Sequence, residues 1–238
     1  MHPRWLIVIG AALSFTTTTA LAQAVSPAPT AFPPGSDAIL PGLVDVGAVL
    51  PVRVELKYGT ADNFMGRDVY GGLERCFLQK DAADKLAVAH ALLQKQHPGW
   101  TFVMYDCARP RSVQIIMWDI VKGTGQQGYV ANPHKAPGSV HNTGCAVDLS
   151  IWDTTAGGPA GGAAVDMGTP YDFFGKKAQP RHEVDLWKTG ALTSEQYANR
   201  LALREVMLRA GFRILPHEWW HFDCTDGSTA RKKYPVIP

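Results

Sequence analysis

Alternation of apolar and polar positions is cleanest at Cys145 to Ile151. Val147, Leu149 and Ile151 share one face of a strand, and Ala146, Asp148 and Ser150 share the other. Thr101 to Asp106 is a second β-rich run that ends near Arg109, because Pro110 biases Arg109 away from helical angles. Leu50 to Leu56 alternates over a shorter stretch, and Phe212 to Leu215 and Glu218 to Asp223 read as strand material interrupted by Pro216. Helical spacing appears three times. Asp81 is placed to cap a helix to about Gln96, with Leu86, Ala89, Leu92 and Leu93 as its stripe and His97-Pro98-Gly99 as its stop. Pro110 opens a helix from Arg111 to about Lys122, with Val113, Ile116, Met117 and Ile120 inward and Gly123 at its end. Thr193 or Ser194 caps a long helix to about Ala210, closed by Gly211.

Between these elements, Lys57 to Gly72 reads as an ordered loop carrying Tyr58, Phe64, Met65 and Tyr70, and residues 152–180 are rich in Gly and Pro. The pattern predicts an α+β fold: a small antiparallel sheet with helices packed on one face and an open cleft on the other. Asp148 lies on the cleft face, and the tight Asn142-Thr143-Gly144 turn lets His141 fold back toward it.

The first residues change the picture of where the domain begins. His2 to Arg4 are polar and basic, Trp5 to Phe15 are apolar but too few to span a bilayer, and Ala20-Leu21-Ala22 is a small-x-small cleavage site. This predicts a signal peptide over 1–22, with an uncleaved anchor as the alternative. No cysteine at the junction offers a lipid anchor. Residues 23–40 are rich in Pro, Ala and Ser and read as a linker, leaving 41–238 as one domain. After cleavage no stable membrane insertion is expected, and the chain is expected to be exported to a periplasm. A formal charge of +2 without a basic stripe argues against nucleic acid as a partner. In an exported chain, Cys76, Cys107, Cys145 and Cys224 favour disulfides over metal ligation, with three pairings open.

Candidate chemistry gathers in two segments, Ser139-Val-His141-Asn-Thr-Gly-Cys-Ala-Val-Asp148 and Glu218-Trp-Trp-His221. His141, Asp148 and His221 supply two nitrogens and one oxygen, a set that leaves a four-coordinate zinc with one open position. Glu218 is then a spare carboxylate suited to general-base work. In a regular strand Glu218 and His221, three apart, face opposite ways; either Glu218 lies in an entering loop or a bulge re-aims it. Arg109, fixed by Pro110, is a candidate oxyanion clamp worth roughly 3–4 kcal/mol by analogy with a lost oxyanion donor. Each piece has a plainer reading: a core histidine in an aromatic strand, a loop histidine beside an exposed aspartate, a surface salt bridge.

Taken together and in order, Asp106-Cys-Ala-Arg109-Pro110, Ser139-x-His141-x-x-Gly144-x-Ala146-x-Asp148 and Glu218-x-x-His221 resemble the VanX-type D-alanyl-D-alanine dipeptidases, zinc peptidases related to the D,D-carboxypeptidases. Tyr58-Gly-Thr-Ala-Asp-Asn-Phe64, Gly128-Tyr-Val130 and Met167-Gly-x-x-Tyr-Asp172, where the family has Met-Gly-x-x-Phe-Asp, extend the similarity to about Tyr58 to Asp223. Cys107-Ala108 departs from the Gly-Tyr often found before the Arg-Pro, Cys145 replaces a small polar residue, and 132–138 differs in detail. These departures bear on substrate size rather than on reaction class.

The resemblance implies one zinc on His141, Asp148 and His221, Glu218 as general base and then proton donor to the leaving amine, and Arg109 polarising the scissile carbonyl. It implies that Ser139 and Asp172 hold the substrate ends, Asp172 suiting an ammonium, and that Tyr58 and Phe64 line the pocket or its lid. Cobalt or iron also suits such a donor set. The expected function is hydrolysis of free D-Ala-D-Ala or a related small peptide, in scavenging or peptidoglycan turnover. Alternatives are a D,D-carboxypeptidase trimming stem peptides, or a noncatalytic zinc-stabilised domain that binds cell-wall peptides.

Overall fold

A computed structural model describes residues 42–135, 138–157 and 161–238. The expected signal peptide and linker lie outside these residues. The chain builds a six-stranded sheet in the order β2 (Arg53–Val54), β4 (Trp100–Asp106), β5 (Ala146–Asp153), β8 (Glu218–Asp223) and β7 (Arg213–Leu215), with β6 (Ala163–Ala164) paired to the far end of β5. A separate antiparallel pair joins β1 (Val44–Asp45) to β3 (Phe77–Leu78). The main sheet is antiparallel except that β2 runs parallel to β4. The predicted strand at Leu50 to Leu56 shrinks to two residues because Pro51 has no N–H to give and β2 is an edge strand.

Two helices cover one face. α2 (Lys80–Gln96) packs on β4, and α5 (Ser194–Arg209) packs on α2 and β8. Leu86, Ala89 and Leu93 of α2 and Leu203, Val206 and Met207 of α5 are buried there. α5 begins as expected: Thr193 accepts from the Gln196 amide while the Gln196 side chain accepts from the Thr193 N–H, a reciprocal cap. α2 begins two residues early, at Lys80, with Gln79 at its cap position. Asp81 is therefore not the cap; it accepts hydrogen bonds from Lys233 and Tyr234, tying down α6 (Gly227–Lys233).

α3 (Arg111–Val121) belongs to the other side. It follows β4 and borders the cleft through Gln114 and Met117. Its inward residues are Val113, Gln114, Met117 and Val121, whereas Ile120, expected inside, is 40% exposed. Gln114 is buried because it has two partners, the Arg109 guanidinium and the Ala131 carbonyl. Short helices α1 (Val46–Val49) and α4 (Glu183–Lys188) complete the set. Among the described residues no helix is long and apolar enough to cross a membrane.

All four cysteines are paired, Cys76 with Cys107 and Cys145 with Cys224. The second bridge joins the residue before β5 to the residue after β8, next to the Ala146–Asp223 partners of the two strands. It closes a loop spanning a sequence separation of 79. Replacing Cys145 and Cys224 together by serine should lower unfolding free energy by about 2–5 kcal/mol, read from the midpoint of urea denaturation.

Candidate metal centre and active site

Strand register assembles the site. Asp148 on β5 is the direct partner of His221 on β8, and Asp106 on β4 is its partner on the other side. Asp106 reaches that row through a bulge: from Met104 to Asp106 β4 advances two residues while β5 advances one, leaving Tyr105 extra. A larger irregularity lies on β8. Ile214 pairs with Phe222, but the next β7 residue, Leu215, pairs with Glu218. The strand loops out between these pairings, which lets Glu218 face the cleft beside His221. Of the two geometries open from sequence, the bulge is the one formed.

His141 arrives from a 3-10 turn at Val140–Thr143, capped by Ser139, whose Oγ accepts from the His141 N–H at 3.3 Å. Gly144 ends this turn at φ 70°, a left-handed backbone that favours glycine, although a Cβ there would meet Leu43 and the Gln79 backbone only at ordinary contact distance. The turn is stitched to the Arg109 segment. The Arg109 N–H donates to the His141 carbonyl at 3.0 Å, and Asn142 Nδ2 donates to the Arg109 carbonyl at 2.8 Å.

At the centre, His141 Nε2 lies 3.2 Å from Asp148 Oδ1 and 3.1 Å from His221 Nδ1, and His221 Nδ1 lies 3.0 Å from Asp148 Oδ1. All three residues are buried. His141 Nδ1 must be the donor to the Cys107 carbonyl at 2.8 Å, since a carbonyl only accepts. His221 Nε2 likewise donates to Asp223 Oδ1 at 2.9 Å. Each remote nitrogen thus carries a proton, which leaves the other nitrogen of each ring facing Asp148 and the partner ring. With a cation between them, those two nitrogens and the carboxylate oxygen could all serve as donors. These residues fit a divalent metal, and their outer partners have the form that orients metal-ligating histidines.

Arg109 is buried and held on both edges. Nε donates to Asp106 Oδ2 at 2.8 Å, Nη2 contacts the same oxygen, and Nη1 donates to Gln114 at 2.8 Å. Its Nη2 is 3.7 Å from Asp148 Oδ2, and its guanidinium lies over the Tyr58 ring. Burial acts against the charge, but Asp106 and the adjacent tyrosines more than offset it. Asp106 is shared with the Tyr70 hydroxyl.

These groups open onto a cavity of about 100 Å³. Ser139, Tyr58, Phe64 and Asp172 all line it, as do Glu218 and Arg109, so every candidate drawn from the sequence reaches one space. Phe64 packs edge-on against Tyr58. Burial pushes the Glu218 carboxyl up to about 7, with His221 opposing and Asp148 adding to the rise. Asp172 sits at φ 58°, strained for a residue with a Cβ, and its Oδ1 accepts from the Tyr58 hydroxyl at 3.1 Å. Its Oδ2 is buried without a hydrogen-bond partner among the described residues. Burial first, then Asp148, holds this carboxyl well above the usual carboxylate range. Buried Arg200 anchors the segment that carries Asp172, donating to the carbonyls of Met167 at 2.6 Å and Lys177 at 3.0 Å.

Sequence reasoning missed several supporting residues. Asp223 had a legible signal, lying two positions from His221 on the same strand face. Gln114 and Tyr70 gave none, because only tertiary packing brings them to Arg109 and Asp106. The cysteines near the site support it from behind: Cys107 through its carbonyl, Cys145 and Cys224 by joining the strands that carry Asp148 and His221.

A buried histidine–histidine–aspartate cluster with an adjacent carboxylate and arginine in a small cavity is the equipment of a hydrolytic enzyme, and the comparisons make it a peptidase. The chain belongs to the peptidase M15 family, described as D-Ala-D-Ala dipeptidase, whose model matches residues 41–237. It is 31% identical over 196 residues to a D-alanyl-D-alanine dipeptidase of Escherichia coli K12, covering 82% of this chain and 89% of that protein. It is 28% identical over 194 residues to a D-alanyl-D-alanine dipeptidase of Enterococcus faecium, covering 74% and 87%.

If Asp223 orients His221 as a ligand, Asp223→Asn should weaken metal binding by roughly 10–100-fold, measured by competition with a chromogenic chelator.

Proposed function

We propose that this enzyme hydrolyses the free D-alanyl-D-alanine dipeptide with one zinc ion held by His141, Asp148 and His221. The observation that carries the reading is the bare Asp172 Oδ2 in the wall of the cavity that the ligand set, Glu218 and Arg109 share. Burial favours the protonated form of this carboxyl, and a substrate ammonium would favour the ionised form and supply both its charge partner and the missing hydrogen bond. A peptide whose amino end is blocked leaves it unpaired, which favours a free dipeptide over a stem peptide. Relatives named for the same activity support the substrate class.

When bound, the zinc supplies Lewis acidity that polarises a carbonyl oxygen and acidifies water. The protein does the rest. Glu218, raised by burial into the range useful for proton transfer, accepts a proton from the attacking water and delivers it to the departing amine. Arg109, locked by Asp106 and Gln114, presents a charged guanidinium to the oxygen on which negative charge develops. Asp172 and Ser139 hold the two ends of the dipeptide, while Tyr58 and Phe64 shape the wall and exclude water.

The same reading makes 1–22 a cleaved secretion signal and 23–40 a linker ahead of a catalytic domain at 41–238, with the enzyme acting in a periplasm. Two disulfides support an oxidising compartment.

Glu218→Gln should lower kcat by roughly 10²–10⁴ with little change in KM. The parent enzyme should lose kcat/KM as pH falls, with a midpoint at or below about 7, because the raised Glu218 carboxyl is charged only above its pKa and a nearby cation lowers that value. Cleavage of free D-Ala-D-Ala should exceed that of N-acetyl-D-Ala-D-Ala. Asp172→Asn should cut kcat/KM for the free dipeptide by at least about a hundredfold and affect the blocked one far less. Preference of the parent for the blocked peptide would reject the dipeptidase assignment.

A further inference from the structure

Asp148 has two oxygens with different fates. Oδ1 faces His141 Nε2 and His221 Nδ1. Oδ2 accepts a hydrogen bond from the Tyr171 hydroxyl at 2.9 Å and lies 3.7 Å from Arg109 Nη2. Tyr171 approaches from behind the site: it is absent from the wall of the catalytic cavity and instead borders the two grooves lined by Tyr105 and Pro170. Its ring is fixed among Tyr58, Tyr105 and Trp220, with centroids at 6.0, 5.2 and 5.4 Å. A ring clamped on three sides delivers its hydroxyl to one place.

We propose that Tyr171 is a positioning residue that holds Asp148 as a one-oxygen ligand. A carboxylate can bind a metal through one oxygen or both. With Oδ2 tied to Tyr171, only Oδ1 is free to face the ion, so the site keeps a position for water and substrate. The tether has a second effect. Without it, Oδ2 is free to turn toward Arg109 Nη2, the nearest cation, and draw the guanidinium away from the reacting oxygen. Tyr171 therefore serves both the ligand and the clamp while touching neither substrate nor ion. This inference rests on the metal reading of His141, Asp148 and His221.

The test compares the metal-free parent, Tyr171→Phe and Tyr105→Phe. Tyr105 is a buried tyrosine packed on Tyr171, and its hydroxyl touches none of the three ligands, so it controls for loss of a hydroxyl in the same wall. Each protein is titrated with cobalt(II) against a competing chelator, and the visible ligand-field band is recorded. Tyr171→Phe should bind cobalt at least about tenfold more weakly. Its band should also weaken, because coordination by both carboxylate oxygens raises the coordination number. Tyr105→Phe should match the parent in affinity and band. With the metal saturating, Tyr171→Phe should lower kcat for D-Ala-D-Ala and leave KM within about twofold. A Tyr171→Phe protein with the parent's cobalt affinity and band overturns the proposal, as does an equal loss of affinity in Tyr105→Phe, which would make the effect one of packing. A parent that binds no cobalt overturns the metal reading itself, a distinct result.

Discussion

Burial of Asp148 is the constraint around which the site is organised. A carboxylate out of water is costly unless its lone pairs are used. Here Oδ1 meets two imidazoles and Oδ2 meets a tyrosine, with an arginine close by. Each of those groups is itself held from outside: His141 by the Cys107 carbonyl, His221 by Asp223, Arg109 by Asp106 and Gln114. The network is satisfied outward from one residue until it reaches ordinary backbone. Asp172 stands apart, with one oxygen in the wall of the same cavity lacking a hydrogen-bond partner among the described residues.

Irregular backbone is concentrated at this site. A regular three-stranded ladder would set Asp148 and His221 side by side but would leave Asp106 out of the row and Glu218 on the wrong face. The extra residue Tyr105 corrects the first, and the loop-out between Phe222 and Glu218 corrects the second. Such departures need rigid surroundings, or they would relax. The helices α2 and α5 press the far face of the sheet, and the Cys145–Cys224 bridge fastens the ends of β5 and β8 that carry Asp148 and His221. The bridge from Cys76 to Cys107 fixes the chain just where it must offer a carbonyl to His141.

Elements with strong local signals were legible in the sequence. The Thr193 cap and Gly211 terminator delimit α5 almost to the residue, and the alternation at 145–151 marks β5. Asp81 misled because a capping residue type one turn from an apolar stripe is a local signal, while its actual partners, Lys233 and Tyr234, lie more than 150 positions away. Ile120 misled because hydrophobic spacing cannot show that a buried glutamine will find two hydrogen-bond partners.

The sequence by itself singled out His141, Asp148, His221, Glu218, Arg109 and Asp172 as candidates, from residue type, spacing and family resemblance, and all six line one cavity. Only the tertiary structure decided how they face one another. Strand register, two bulges and the pairing of four cysteines depend on contacts between distant segments. Such contacts are chosen by burial and hydrogen-bond satisfaction over the whole domain, and local pattern carries no record of them.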